Sequence, residues 1–235
     1  MRRVALRELL SGIRDEAPIL VGVVPFGMIY GVLALQAGLG VAEAQAMSSV
    51  LFAGSAQFIS VQLFAAQAPV GVVVLTAFVV NLRHALYSAS MAPYVRRLGA
   101  GWKALLSYLL TDEAYAVAIT RYTRAADSST GHWYFLGAGL ALWASWQVST
   151  AVGIFLGAQV PEGWSLDFTL ALTFIALLVP NLKDRSTGAA ALVAGVLAVL
   201  ARGLPYKLGL VAAACGGILA GLLVDTLLPR KDRTA

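Results

Sequence analysis

The sequence predicts an all-α membrane protein, a polytopic bundle of about seven or eight hydrophobic segments at roughly 25 to 30 residues per segment with its connection. Of its 235 residues, 59% are hydrophobic and 12% are charged, whereas a soluble domain carries about 25% charged residues. The mean hydropathy of +0.79 would leave more apolar surface than one globular core could cover, so lipid must solvate most of the chain. Two long runs, 17–42 and 44–82, contain no charged residue. These observations exclude an ordinary soluble enzyme.

Three regions are expected along the chain: a cytoplasmic amphipathic segment over 1–17, one transmembrane transport domain over 18–228, and a charged tail over 229–235. The first region intersperses arginines with leucines, which is typical of a helix on a membrane surface. Because basic residues favour cytoplasmic loops, the N-terminus is predicted to face the cytoplasm, in the cell (inner) membrane. The net charge of +5 comes from small basic groups between apolar runs, so it indicates topology and not binding to nucleic acid.

Eight apolar segments follow one another, and two of them are predicted to be irregular. The predicted segments lie at 18–42, 45–67, 69–93, 104–120, 133–158, 165–182, 187–201 and 207–228. If all of them crossed, the basic loops around Arg96 and Lys183 would lie outside, against the tendency of positive loops to stay inside. We therefore expect 45–67 and 104–120 to be broken or re-entrant, with interruptions at 54–57 and 111–113. Whether they cross fully is left open.

A short internal repeat relates Val79–Arg83 to Val179–Lys183, at an offset of 100 residues. Transporters often contain duplicated halves. If every segment crosses, the repeat is inverted; if the basic loops all stay inside, it is parallel. A chance match is the third possibility.

The strongest candidate for chemistry is Arg83, which with His84 lies inside the segment 69–93. A charge within the membrane costs about 2.5 to 3.5 kcal/mol on insertion scales, so it needs a partner or a cavity. Helical spacing places Asn81 and His84 on one stripe and Arg83 on the neighbouring stripe, a polar face directed into the bundle. The alternative is that Arg83 extends to the nearby membrane surface.

Two acidic residues, Asp112 and Glu113, lie in the short segment 104–120. Carboxylates inside a membrane protein are candidates for binding an ammonium group, a coupling proton or Arg83 itself. Alternatively, they lie in a water-filled vestibule.

Glycines and a proline predict helix interruptions or close helix contacts. Pro25–Gly27 and Gly54–Gln57 are expected to break their helices, and the freed amides at a half-helix N-terminus attract a carboxylate. Three G-x-x-x-G pairs are typical of helix packing instead. These pairs are Gly27/Gly31, Gly153/Gly157 and Gly217/Gly221.

Several motifs in order resemble the AzlC-type branched-chain amino-acid exporter family. They are Pro25-Phe26-Gly27-x-x-Tyr30-Gly31, Phe52-Ala53-Gly54-Ser55-Ala56-Gln57-Phe58, Asn81-Leu82-Arg83-His84-x-x-Tyr87-Ser88, Leu110-Thr111-Asp112-Glu113 and Pro180-Asn181-Leu182-Lys183-Asp184-Arg185. The resemblance extends from about Gly12 to the last segment. It implies a permease that exports leucine, valine, isoleucine or related compounds and works with a small AzlD-type membrane protein. It implies no enzyme activity and no cofactor.

A zwitterionic substrate needs a positive site, a negative site and an apolar pocket close together, and we assign residues to each as a hypothesis. The substrate carboxylate is assigned to Arg83 with Gly54 and Ser55, the ammonium group to Asp112 or Glu113, and the aliphatic side chain to Phe26, Tyr30 and Phe58. Gln57 and Asn81 complete the predicted substrate site, and His84, Asp112 and Glu113 are the candidates for carrying a coupling proton.

Three other functions are weighed against export. A channel or carrier for another small solute would use the same polar interior. An intramembrane hydrolase would need Ser55 as nucleophile and His84 as base. A non-transporting scaffold subunit would need no polar interior. With one cysteine, two histidines and no H-E-x-x-H motif, no metal site is predicted.

Overall fold

The computed structural model describes residues 2–124, 130–158, 182, 184–204 and 208–227, and in these ranges it contains ten α-helices and no strand. The chain divides into two compact units, Met1–Glu162 and Gly163–Ala235. The helices of the first unit are α1 (Arg2–Gln36), α2 (Val41–Val50), α3 (Gly54–Ala65), α4 (Val70–Asn81), α5 (Arg83–Val95), α6 (Ala100–Tyr108), α7 (Asp112–Arg124) and α8 (Gly131–Gly157). The second unit contains α9 (Arg185–Leu200) and α10 (Leu208–Leu227).

The first helix is continuous through both of its prolines, Pro18 and Pro25. The prediction that Pro25–Gly27 breaks this segment is therefore wrong. A proline removes only its own N–H from the helix ladder, and in a membrane bundle neighbouring groups compensate for that loss. Residues 2–17 form the first part of the same helix, and their place on the cytoplasmic surface stays a prediction.

Helices α1 and α8 run side by side and parallel, with glycines at their contact. A Cβ atom added at Gly31 would lie 2.5 Å from the carbonyl oxygen of Thr150, and one added at Gly137 or Gly153 would collide with the carbonyl of Leu9 or Met28. Positions in the two helices increase together along this contact, which makes the helices parallel.

All three predicted glycine pairs are packing sites. Gly27 and Gly31 face Ser149 and Thr150 of α8, and the pair Gly153/Gly157 faces α1 from the other side. Such close approach replaces the missing hydrophobic driving force between helices in lipid.

Both segments predicted to be broken are broken. Their positions differ from the prediction. The first interruption is at 51–53, because 54–57 form the first turn of α3, and the second is at 109–111, because 112–113 begin α7. A third break was not expected: the segment predicted as one helix over 69–93 is two helices, α4 and α5, bent by 41° at Leu82.

The helical membrane fold is confirmed, whereas the number of seven or eight spans is not. In the described ranges, three helices are long and apolar enough to cross a membrane, α1, α8 and α10, and the bent pair α4 and α5 adds a fourth if it is one span. Large apolar side chains on these helices are exposed, among them Val21, Phe78, Leu86, Phe155 and Leu222. Exposure on this scale suits contact with lipid and not with water.

The second unit is an antiparallel helix pair with small residues at its contact. Gly217 faces Ala190 and Ala194, and Gly221 faces Ala190 and the carbonyl of Ser186. Asp184 caps α9 by accepting a hydrogen bond from the backbone N–H of Thr187 at 2.8 Å, which satisfies one of the free amides of the first turn.

Several predictions fall outside the described residues. The segment 165–182 is outside them except for Leu182, as are the tail 229–235 and most of the second copy of the repeat, 179–183. The single transport domain over 18–228 and the choice between an inverted and a parallel repeat stay predictions.

Candidate functional site

Three helix N-termini meet around the guanidinium group of Arg83. Arg83 is the first residue of α5, Asp112 is the first residue of α7, and Ser55 is the second residue of α3. Nη1 of Arg83 lies 2.6 Å from Oδ2 of Asp112, and Nη2 donates a hydrogen bond to Oγ of Ser55 at 2.6 Å. The helix breaks therefore bring these three side chains together.

This arrangement concentrates positive charge at one point. Each helix N-terminus carries a partial positive charge equivalent to about half an elementary charge. Asp112 offsets part of that charge, and an acidic side chain in the first turn of a helix is itself stabilised by the helix dipole. The cation of Arg83 and the helix ends together form a site that attracts an anion such as a carboxylate.

Several polar atoms at the site have no hydrogen-bond partner among the described residues although they are buried. They are Nε of Arg83, Oδ1 of Asp112, Oδ1 of Asn81 and Nε2 of His84. About a third of the Arg83 and Asp112 side chains is exposed, 33% and 36%, although these particular atoms are covered. Buried polar groups normally have partners, and both donors and acceptors are left open here.

The three predicted aromatic residues lie in one cluster. The rings of Phe26 and Tyr30 each meet the ring of Phe58 edge to face, with centroids 6.3 Å apart, and Tyr30 stacks on Trp146. Tyr30 is completely buried, and its hydroxyl donates a hydrogen bond to the carbonyl of Ala44 at 2.8 Å. Phe26 is the half-buried member of the cluster.

The predicted site residues Gln57 and Gly54 support the break between α2 and α3. The side-chain amide of Gln57 donates to the carbonyls of Leu51, at 2.6 Å, and Ser48, at 3.2 Å, and its Oε1 accepts from the indole of Trp146 at 3.1 Å. A Cβ atom at Gly54 would lie 3.0 Å from Cη2 of Trp146. Contact of Gln57 with a substrate stays a prediction.

Of the roles considered for the acids, the structure shows the ion pair between Asp112 and Arg83. Glu113 follows Asp112 in the first turn of α7. Beside this pair, Tyr87 stacks on Tyr115 with ring centroids 4.6 Å apart, and Tyr115 donates to Ser90 at 2.9 Å. These contacts join α5 to α7 and keep Arg83 and Asp112 opposite each other.

The family of the chain follows from its match to a protein-family model. The model described as AzlC protein matches residues 18–160. The chain belongs to the AzlC family. The match covers all of the helices that meet at Arg83.

Relatives of this AzlC-family chain are membrane proteins. The inner membrane protein YgaZ of Escherichia coli is 27% identical over 219 residues, 90% of this chain and 89% of YgaZ. An uncharacterized membrane protein of Archaeoglobus fulgidus is 32% identical over 215 residues, 89% of this chain and 92% of that protein. The branched-chain amino acid transport protein AzlC of Bacillus subtilis is 30% identical over 167 residues, 69% of this chain and 63% of that protein. No solved structure matches significantly. These matches support a role in membrane transport.

Sequence reasoning missed a polar network that fastens the broken segment to α8 of this AzlC-family chain. Gln147 accepts hydrogen bonds at Oε1 from Gln45, at 2.7 Å, and from Ser49, at 2.9 Å, while Ser48 and Thr150 share one at 3.0 Å. The sequence contains a signal for this network, because two polar residues, Gln45 and Ser49, lie one helical turn apart in an apolar segment.

An open cavity of about 310 Å³ lies between α5, α6 and α8 of the AzlC-family chain, and neither Arg83 nor Asp112 lines it. Its volume is at the lower end of the range of small-molecule pockets, about 300 to 1,000 Å³. Its lining is Ser88, Met91, Ala92, Val95, Arg96, Lys103, Leu106, Ser107, Leu110 and Phe135. Apolar walls with basic residues among them suit an aliphatic molecule that carries a carboxylate.

Proposed function

We propose that this AzlC-family chain is a permease that exports branched-chain amino acids, leucine, valine and isoleucine, together with the similarly sized methionine. The observation that supports this most directly is the meeting of three helix N-termini at the ion pair of Arg83 and Asp112. A zwitterion needs a donor for its carboxylate and an acceptor for its ammonium group, and the pair offers both.

The substrate binds beside the ion pair and does not replace it. Nε of Arg83 and Oδ1 of Asp112 are the halves of the pair that have no partner among the described residues. The substrate carboxylate accepts from Nε and from the amides at the start of α3, near Gly54 and Ser55, and the ammonium group donates to Oδ1 of Asp112 or to Glu113. Such charge-assisted hydrogen bonds are stronger than neutral ones.

The aliphatic side chain of the substrate contacts the aromatic cluster through Phe26 and Phe58. Burying such a side chain contributes about 1.5 to 3 kcal/mol. One methylene more or less changes binding by only about 1 to 3 kcal/mol, so the permease discriminates weakly among valine, leucine, isoleucine and methionine.

Export is driven by an ion or proton gradient, with His84, Asp112 and Glu113 as the groups that carry the proton. The chain lies in the inner membrane with its N-terminus in the cytoplasm and works with a small AzlD-type membrane protein. Support for the substrate class comes from the Bacillus subtilis relative, which is named as a branched-chain amino acid transport protein.

A carrier or channel for another small solute is the second candidate, because the cavity near Arg96 and Lys103 does not require an ammonium group on its ligand.

The hydrolase receives less support. A nucleophilic serine needs its base within hydrogen-bond reach, and Oγ of Ser55 is hydrogen-bonded to Arg83.

Efflux of labelled leucine from proteoliposomes tests the proposal. We expect efflux from vesicles that contain this chain, alone or with an AzlD-type protein, and a strong loss in Arg83→Gln but not in Arg97→Gln, a change at an exposed arginine. Equal leucine efflux from vesicles with and without the chain, under both conditions, would overturn the proposal. Transport of only a non-amino-acid solute would favour the second candidate.

A further inference from the structure

A second buried acid lies outside the predicted site. Glu16 of α1 is completely buried, with 0% of its surface exposed. Both of its carboxylate oxygens lack a hydrogen-bond partner among the described residues. An ionised carboxylate without a partner is very costly to bury, so this position needs an explanation.

The ionisable groups near Glu16 do not supply a counter-ion. Glu16 interacts electrostatically with Glu113 of α7 and with Tyr134 of α8. Arg121, the cation on the neighbouring part of α7, is paired with Glu8 at 2.9 Å, and the hydroxyl of Tyr134 donates to Asp15 at 2.7 Å.

The other residues on the helices packed against α1 provide no positive charge that would neutralise Glu16. Tyr122 of α7 also has a buried hydroxyl without a partner among the described residues. Helix α3 contains no ionisable residue, and Glu43 of α2 is exposed and accepts a hydrogen bond from the amide of Gly40. Glu16 therefore interacts electrostatically with another carboxyl group, Glu113, and pairs with no cation among the described residues.

Two carboxyl groups that interact where water is largely excluded cannot both be ionised at low cost. A proton bound to Glu16, the completely buried member, removes most of that cost. Glu113 is adjacent in the chain to Asp112, which is bonded to Arg83. A change in the charge of the acid pair is therefore felt at the ion pair where the substrate is proposed to bind.

We propose that Glu16 is a proton-binding site that couples amino-acid export to the proton gradient through its charge, which acts electrostatically on Glu113. When water on one side of the membrane reaches the carboxylate of Glu16, a proton from that water binds it and forms a neutral O–H. When water on the other side reaches this group, the O–H releases the proton and the negative charge returns. This inference rests on the proposed function and adds the coupling ion and a residue that binds it.

The experiment compares two modes of leucine movement in proteoliposomes that contain the full chain. Exchange of labelled for unlabelled leucine across the membrane requires binding but no net proton movement, whereas efflux under an imposed pH gradient requires coupling. We expect a gradient of one pH unit to change the leucine ratio at which wild-type efflux stops by about tenfold for each coupled proton. Glu16→Gln should keep the exchange and lose the response to the gradient, and the control Glu43→Gln should keep both.

The outcomes separate the two proposals. Absence of leucine exchange in the wild type, both alone and together with an AzlD-type protein, rejects the proposed function. Exchange with no response to the gradient in the wild type, or with an unchanged response in Glu16→Gln, rejects the role of Glu16 and leaves the permease standing.

A spectroscopic measurement keeps the proposal testable if Glu16→Gln does not fold. Infrared spectra of the wild type at neutral pH should contain the band of a protonated carboxyl group sealed from water. Glu16→Asp, which keeps the acid and moves it, should shift that band. A wild type without the band, or a band that Glu16→Asp leaves unchanged, would also overturn the assignment.

Discussion

The carboxylate of Asp112 lies 2.6 Å from the guanidinium group of Arg83, and each of these residues is the first of its helix. A helix start is a place where backbone amides are left without partners inside the helix. The pair therefore joins two breaks in the chain and fixes one point where charge can be held inside the bundle.

Removing one member of this pair should lower both stability and transport, whereas removing both members should lower transport alone. In Arg83→Gln the carboxylate of Asp112 keeps its charge and loses its cation, so the variant should melt at a lower temperature and bind leucine at least about tenfold more weakly. The double variant Arg83→Gln with Asp112→Asn should recover the melting temperature without recovering transport. Thermal unfolding in detergent and leucine efflux measure the two effects, and a double variant that transports normally would contradict the model.

The contact between α1 and α8 should not tolerate a larger side chain. Gly31→Leu places a side chain against the carbonyl of Thr150, where even a Cβ atom would lie at 2.5 Å. Overpacking of this kind costs about 1 to 3 kcal/mol or more. Gly22→Leu, in the same helix but with no atom within 4 Å of the added Cβ, should be neutral. Equal stabilities of the two variants would refute the close packing.

The hydrogen bond from Trp146 to Gln57 should matter for stability. Trp146→Phe leaves the buried Oε1 of Gln57 without its donor, which costs about 1 to 3 kcal/mol. Trp143→Phe removes an exposed hydrogen bond to the hydroxyl of Tyr108 and should cost less. Melting curves of both variants in the same detergent provide the comparison, and the prediction fails if Trp143→Phe is the less stable protein.

Filling the cavity should block transport without unfolding the protein. Ser88→Trp puts a large ring into the space of about 310 Å³ between α5, α6 and α8, so labelled leucine efflux should fall to background. The matched control is Leu86→Trp in the same helix, at a side chain that is 72% exposed, and it should transport normally. Normal efflux in Ser88→Trp would show that the cavity is not on the substrate path.

The sequence predicts well those features that depend on composition and on local breaks. The helical membrane fold follows from the lack of charge, and the interruptions at 51–53 and 109–111 lie next to the predicted positions, because small and polar residues weaken a helix in an apolar segment. The packing of the glycine pairs follows from their spacing.

Features that depend on tertiary contacts were predicted poorly. The continuity of α1 through Pro25 depends on its packing along α8. The bend at Leu82 has no proline or glycine beside it from which it could be predicted. Glu16 looked like part of an amphipathic surface segment, because nothing in 1–17 shows that α7 and α8 cover it. The partners of Gln57 are likewise spread over α2, the break that follows it and α8.

Because α1 and α8 are parallel, the number of times that the chain between them crosses the bilayer is restricted. Two neighbouring spans that point the same way must both enter from one face, so residues 37–130 have to cross the bilayer an odd number of times. If the bent pair α4 and α5 is one span, the two interrupted segments must behave alike, both crossing or both turning back. Residues 67–69 and 96–103 then lie on opposite faces of the membrane, so labelling one stretch from a known face shows the face of the other.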